Sequence, residues 1–328
     1  MMRLSCNIII KNPTTKQLVR FDYVTEVEVT TSIRNFTDTA KIIVPRKLSY
    51  KGQKITDFIK RNHEVTIDLG YDDGNQEVFK GYVKDVSTGT PIVIECENEA
   101  WKLKQIKLPA KHYPKLNIQD FVKEHMSAYQ CFVPSVELGE VRINTDVTLA
   151  QVFEYFMHNY PVNFYFRDGK FYGITPTAML ASDNDIKTVK FRIGYNTISD
   201  NLTYVLKEDI KLQIVAKAIK NNNTKLEWKE PQDATDAEIR TFLVSGATSE
   251  SDLKKFALDM INKFKVDKMT GDFMAFGLSY VRKGDVTHLL DDDHAEQNDK
   301  KFWNEAVNYT FGQGGYRQKI TLGGQLNG

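Results

Sequence analysis

The chain has 328 residues, with 44 Lys plus Arg against 43 Asp plus Glu for a formal charge of +1, and it is 41% apolar and 11% aromatic. This length exceeds one ordinary core and predicts two or three domains, and the composition excludes a disordered chain. The balanced charge argues against a dedicated nucleic-acid binder, whose phosphate contacts show as a basic excess, and the three scattered cysteines, Cys6, Cys96 and Cys131, match neither a disulfide framework nor a zinc motif.

The cysteines are instead expected as small buried apolar groups. The N-terminal apolar stretch through Ile8, Ile9 and Ile10 is too short for a signal peptide or a membrane span, so folding in a reducing cytosol is expected. From residue 8 to 104, short β-type runs alternate with turn residues. Val19 and Phe21, then Val27 and Val29, alternate with polar neighbours at period two, and Ile42, Ile43 and Val44 stop at Pro45. Ile55, Phe58 and Ile59 fit one helical turn. A cassette follows: Val65, Ile67 and Leu69 alternating after His63, an acidic turn at Asp72, Asp73, Gly74 and Asn75, a run at 78–83, and a run at 91–96 after Gly89. The region reads as a small antiparallel barrel or sandwich.

The character changes at Lys104. Asn117 caps a helix with Ile118, Phe121, Val122, His125, Met126 and Tyr129 on one stripe. A capping box at Thr148 and Gln151 opens a second helix carrying Leu149, Val152, Phe153, Phe156, Met157 and Tyr160, stopped by Pro161. Next come Phe164, Tyr165 and Phe166, the Asp168-Gly169 turn, and Phe171 and Tyr172, a hairpin with type I′ turn chemistry. Strand patterning returns at Val189 and Phe191 and at 211–220, with a turn at Asn221, Asn222 and Asn223 and another strand at Leu226 to Trp228. From Ser251 to about Phe264 a helix places Leu253, Phe256, Ala257, Met260, Ile261 and Phe264 on one face. The cassette then recurs, with Val286 aligned to Val65: a strand after Gly284 and Asp285, the acidic turn Asp291, Asp292, Asp293 and His294, a run at 301–307, and a run at 316–322 after Gly314 and Gly315. A β-module used twice is commoner in assembly proteins than in enzymes.

Candidate chemistry is sparse. The acidic turn with His288 nearby offers oxygen and imidazole ligands, but its spacing matches no defined metal loop, and a hairpin tip needs polar residues anyway. The turn at Asp72 reads the same way. Among His63, His112, His125, His158, His288 and His294, no pair has the spacing of a zinc-protease helix. No serine sits in a nucleophile elbow, and Gly312, Gly314 and Gly315 precede a strand rather than the helix N-terminus that an anion site needs. The aromatics Phe164, Tyr165, Phe166, Phe171 and Tyr172 could stack sugars or bases, yet strands beside amphipathic helices need them for a core. No catalytic, cofactor-binding or metal residue is assigned, and no cofactor is expected.

The order of parts resembles the baseplate hub proteins of contractile-tailed bacteriophages, including the Mu-like 43-kDa tail protein and late control protein D groups, and the hub half of type VI secretion spike proteins. Three stretches carry this: the first β region closing between Val83 and Trp101, the helix and hairpin from Thr148 to Ile174, and the run from Leu253 through Gly277, Gly284 and Asp285 to Tyr316, Leu322, Gly323 and Gly324. The resemblance implies an α+β, mainly β fold with two tail-tube-like antiparallel β-barrels and an α/β insert domain between them. The expected domains are a first barrel at 1–104, the insert at 105–180, a first part of the second barrel at 181–230, a strand-helix segment at 231–270 packing on the insert, and a closing part of the second barrel at 271–328.

It also implies a non-enzymatic homotrimer that joins a sixfold tail tube to a threefold central spike and leaves a channel for DNA, which passes without specific binding, or for an effector. The implied partners are the spike, the tube or a tube initiator, and other baseplate proteins. The implied location is the virion tail baseplate, after folding and assembly in the host cytoplasm. The chain ends soon after the second cassette and shows no β-helix repeat, which implies a separate spike partner. Two other classes remain open at this point: a receptor- or carbohydrate-binding tail protein using the Phe164 to Tyr172 aromatics, and a cell-wall hydrolase using the acids around Asp72 and Asp291.

Overall fold

The computed structural model describes residues 2–50, 52–160, 162–175, 186–219, 224–244, 247, 249–265, 268–294 and 298–326. Pro161 and the expected turn at Asn221, Asn222 and Asn223 lie outside them. The chain divides into two units. Unit 1 holds Met1–Gln105, Asn184–Leu202 and Gly271–Gly328, and unit 2 holds Ile106–Asp183 and Thr203–Thr270. The architecture is mainly β with antiparallel sheets and few helices, as expected.

Unit 1 is built on one sheet of thirteen strands. In chain order these are β1 (Leu4–Lys11), β2 (Leu18–Phe21), β3 (Glu26–Ser32), β4 (Thr39–Val44), β5 (Glu64–Tyr71), β6 (Gln76–Val86), β7 (Ile92–Glu97), β8 (Thr188–Arg192), β9 (Thr197–Val205), β10 (Lys268–Phe276), β11 (Val286–Leu290), β12 (Lys300–Gly312) and β13 (Gly315–Leu326). The first seven lie in the order β3-β4-β7-β6-β5-β1-β2, and the last six in the order β9-β10-β13-β12-β11-β8. Period-two alternation puts Ile8 and Ile10, Val27 and Val29, Ile42 and Val44, Val65 and Ile67, and Ile92 and Ile94 on the buried face of the first set.

Each set must curl. Phe21 at one end of the first set and Glu26 at the other are joined by four residues, 22–25. Such a link reaches at most about 18 Å, whereas six strand spacings across a flat sheet come to about 29 Å. Arg192 and Thr197, at opposite ends of the second set, are likewise joined by four residues, 193–196. The five spacings there come to about 24 Å, beyond the same reach.

Unit 2 contains two helix-on-sheet groups. In the first, α1 (Ile118–His125) starts where Asn117 Oδ1 accepts the Gln119 N–H at 2.9 Å. The stripe expected to run to Tyr129 ends as helix at His125, with Met126 as its C-cap. Helix α2 (Leu149–Asn159) has the expected capping box, Thr148 and Gln151 bonding reciprocally. Asn163–Arg167 and Lys170–Ile174 form the hairpin, and Asp168 and Gly169 take the left-handed angles φ 51° and 73° that a type I′ turn demands. Phe153 from α2 packs its ring 5.0 Å from both Phe164 and Phe171 and 5.8 Å from Phe121.

In the second group, Leu212–Ile219 lies between Lys225–Glu230, antiparallel, and Glu238–Leu243, parallel. Helix α3 (Glu250–Phe264) packs Leu253 and Ala257 into the cluster of Leu212, Ile214, Ala216 and Phe242. Its capping box is Ser249 with Asp252, so it starts slightly before the expected Ser251. The strand at 211–220 was expected in the second barrel. Instead both its edges are occupied inside this three-stranded sheet, and it offers none to the thirteen-stranded one.

Candidate assembly interface

The structure engages the residues singled out for chemistry in local contacts. Asp72 accepts the Arg3 backbone N–H at 2.9 Å, and Asp73 pairs with the Arg3 guanidinium at 2.8 Å. Asp291 folds its own turn, accepting from the N–H groups of Asp293 and His294 and meeting His294 Nδ1 at 3.2 Å. Asp292 accepts from Arg192 Nε at 2.7 Å, and His288 Nε2 lies 2.6 Å from Asp299. Among the described residues no group of three His, Cys, Asp or Glu side chains could hold a metal.

Burial holds the His63 and His125 imidazoles below their ordinary pKa, His63 helped by Lys60, and His125 packs its ring 4.5 Å from Phe121. Phe164, Tyr165, Phe166, Phe171 and Tyr172 are all buried, with Phe164 stacked on Phe171 and Tyr165 on Tyr172. Cys6 and Cys96 are buried and Cys131 half-buried, all free thiols, and burial with nearby Asp22 lifts Cys6 to about 11.

What the structure brings together is the twin cassette. The meander β5-β6-β7 matches β11-β12-β13, and the pair β3-β4 matches β9-β10, whose connection is expanded into residues 206–267. The match extends to single hydrogen bonds. Asn62 and His63 exchange N–H and C=O with Val83, each at 2.8 Å, and the His63 N–H closes on Lys60. Gly284 and Asp285 do the same with Asn304, also at 2.8 Å, and the Asp285 N–H closes on Arg282. Asn62 and Gly284 both take left-handed φ, 72° and 78°. A bulge follows in each copy, between Val83 and Asp85 and again at Asn304 to Ala306, after which Val86 lies opposite Ile94 as Val307 lies opposite Ile320.

Two details depart from the sequence alignment. Val286 corresponds to Glu64 rather than to Val65, because the matching hydrogen bonds of Val83 to His63 and of Asn304 to Asp285 equate His63 with Asp285. In addition, β1 runs antiparallel to β5, whereas β8 runs parallel to β11.

The two modules are joined by a seam within unit 1. β12 pairs β11 over its first residues and then turns the same edge to β3, with Ala306 opposite Ser32 through to Gly312 opposite Glu26. Thr31 Oγ1 donates to the Val307 carbonyl at 2.7 Å, and the Ile33 N–H donates to Glu305 at 3.0 Å. Beside this ladder, Lys283 Nζ donates to both oxygens of Asp38 at 2.7 Å and to the Ser32 carbonyl at 3.3 Å, with side-chain exposures of 4% and 7% for Lys283 and Asp38. Asp38 also accepts from Asn98 Nδ2 at 2.9 Å. Burial raises the Asp38 carboxyl above its ordinary range despite the opposing pull of Lys283. Farther along, Tyr71 Oη donates to the Tyr316 carbonyl at 3.0 Å, and Tyr280 Oη donates to that of Glu77 at 2.5 Å.

None of Asp38, Lys283 or Thr31 stood out in the sequence, and Tyr71 did so only as the residue that opens the first acidic turn. An aspartate flanked by apolar residues at Phe36 and Ala40 was the one available signal.

No family model and no curated protein sequence matches the chain. Solved structures do. The tail protein from Neisseria meningitidis MC58 has a TM-score of 0.61 at 13% identity, covering 99% of this chain and 97% of that one. The 43 kDa tail protein of prophage MuSo2 from Shewanella oneidensis has a TM-score of 0.59 at 13% identity, covering 97% of each. An Escherichia coli component of the type VI secretion system, described as similar to T4 bacteriophage tail proteins, has a TM-score of 0.55 at 7% identity, covering 91% of this chain and 73% of that one. From end to end, this chain has the fold of phage tail proteins.

Proposed function

We propose that the chain is a non-enzymatic structural hub of a phage tail baseplate or a related contractile injection machine. Three copies form a ring that meets the tail tube on one side and a separate spike protein on the other, within the virion baseplate, and leaves a channel for DNA or an effector. The observation that carries this reading is the duplicated module. Two equivalent modules per chain give a threefold ring six quasi-equivalent positions, which is what joining a sixfold tube to a threefold spike requires, and such a ring closes through heterologous contacts. The end-to-end likeness to tail proteins supports the same reading.

The competing readings rested on features that the structure places in local packing and pairing. A carbohydrate site needs an open aromatic face, and the hairpin aromatics are buried. A hydrolase reading rested on Asp72, Asp73, Asp291 and Asp292, which bond arginine, histidine and backbone N–H groups of their own turns and neighbours. The mass of the purified protein in solution tests the proposal. A trimer, alone or on addition of its spike, is expected. A monomer at high concentration that forms no ring with the spike would overturn it.

A further inference from the structure

The seam inside unit 1 has a counterpart that is left open. β12 runs past its partner β11, bulges at Asn304, and gives the freed edge to β3. β6 follows the same course. It pairs β5 as far as Tyr82, bulges after Val83, and continues along β7 through Asp85 and Val86, but among the described residues no strand pairs the edge that corresponds to the β3 position. The strand equivalent to β3 is β9. Among the described residues it ends the sheet, with β10 on one side and no strand on the other, and Ile198, Ser199, Asp200 and Asn201 are exposed. One module therefore keeps an open acceptor edge and the other an unpaired strand.

We propose that β9 of one copy adds antiparallel to the β6 edge of the next, as β3 adds to β12 within the chain, and that this strand addition is the contact between copies of the ring. The inference rests on the hub reading and names its interface. Unpaired edges of this kind are templates for strand addition. The register follows from the repeat. Asp272 lies opposite Thr321 as Lys41 lies opposite Glu95, so Gly271 holds the place of Ala40. A Cβ on Gly271 would meet the Asn201 carbonyl oxygen and, at 3.2 Å, Leu202 Cα, so Gly271 faces the Asn201–Leu202 peptide; with Leu202 in the place of Val29, which lies opposite Ala40, Thr203 takes the place of Thr30. Ser87, next after Val86, holds the place of Asn308. Since Asn308 faces Thr30 in the internal seam, Ser87 of one copy faces Thr203 of its neighbour.

The two seams differ in one respect. Arg61, 4.8 Å over the Trp101 ring, holds the place of Lys283, and by the same register Met269 holds the place of Asp38, so the contact between copies lacks the counterpart of the buried ion pair in the internal seam.

The test combines a proline and a cross-link. The Asn201 carbonyl points toward Gly271 of β10, so the N–H of the preceding residue, Asp200, points to the open edge. Asp200→Pro removes an outward donor and no bond to β10. By native mass spectrometry the wild type is expected as a trimer and Asp200→Pro as a monomer with unchanged circular dichroism. In a Cys131→Ser background, Ser87→Cys with Thr203→Cys is expected to give disulfide-linked multimers on oxidation, and each cysteine alone none. A wild-type trimer that survives Asp200→Pro and forms no Ser87 to Thr203 cross-link overturns the strand addition and leaves the hub reading standing. A wild type that stays monomeric with its spike, without cross-links, overturns both. Should the proline variant fail to fold, the cross-link alone decides.

Discussion

Lys283→Met probes the bolt beside the internal seam. The substitution keeps the length of the side chain and removes the cation that bonds both oxygens of Asp38, whose described donors are then the Ser32 N–H and Asn98 Nδ2. Both members of the pair are almost wholly buried, so solvent cannot replace the ammonium group. Breaking a buried pair from one side costs about 3–5 kcal/mol, mostly the desolvation of the stranded charge. Urea unfolding followed by tryptophan fluorescence measures it. In a Trp228→Phe background the remaining indoles, Trp101 and Trp303, both report on unit 1. With a slope of about 3 kcal/mol per M, the midpoint should fall by about 1–1.7 M at pH 7. Asp38 has a folded pKa raised above its unfolded value, so the penalty of its charge is present above the folded pKa and disappears once the carboxyl is protonated. The gap between variant and wild type should therefore narrow as pH is lowered. A midpoint shift below about 0.3 M at pH 7, or a gap that widens in acid, would refute the reasoning.

Three further outcomes are expected. A Cβ at Gly277 would run into the ring of fully buried Tyr316, so Gly277→Ala should destabilise unit 1 by about 1–3 kcal/mol in the same unfolding assay. Thr148→Ala removes the hydroxyl that accepts the Gln151 N–H, and should cost about 1 kcal/mol and speed amide exchange in the first turn of α2. Burial alone would raise the Glu97 carboxyl, but hydrogen bonds from Lys104 and Lys84 outweigh it and hold the group below the usual carboxylate range. Its stabilisation is then present above the unfolded value of about 4.3 and lost as pH falls through the lower folded pKa, so the deficit of Glu97→Gln, read by thermal melting, should be full at pH 7 and vanish in stronger acid.

Much of the local structure was legible in the chain itself. Alternation at Val65, Ile67 and Leu69 marks a strand with one wet face, Thr148 with Gln151 marks a helix start, and Asp168-Gly169 marks a tight hairpin, because each depends on backbone preferences and burial within a few residues. The duplication was legible as pattern but not in register. The true correspondence is one residue off the alignment of Val65 with Val286, because it is fixed by hydrogen bonds to the neighbouring strand rather than by the local sequence.

Long-range pairing was decided only by the tertiary structure. The stretches at 211–220 and 187–191 both read as short β runs, yet Leu212–Ile219 is the centre of a separate sheet and Thr188–Arg192 adds parallel to β11. Period-two patterning says which face of a strand is buried and nothing about which strand lies beside it. The seam residues Asp38 and Lys283 are 245 positions apart, and each by itself reads as an ordinary surface charge. Their meaning comes from a partner that only folding supplies, since a buried charge is tolerated only where its counter-charge is brought to it.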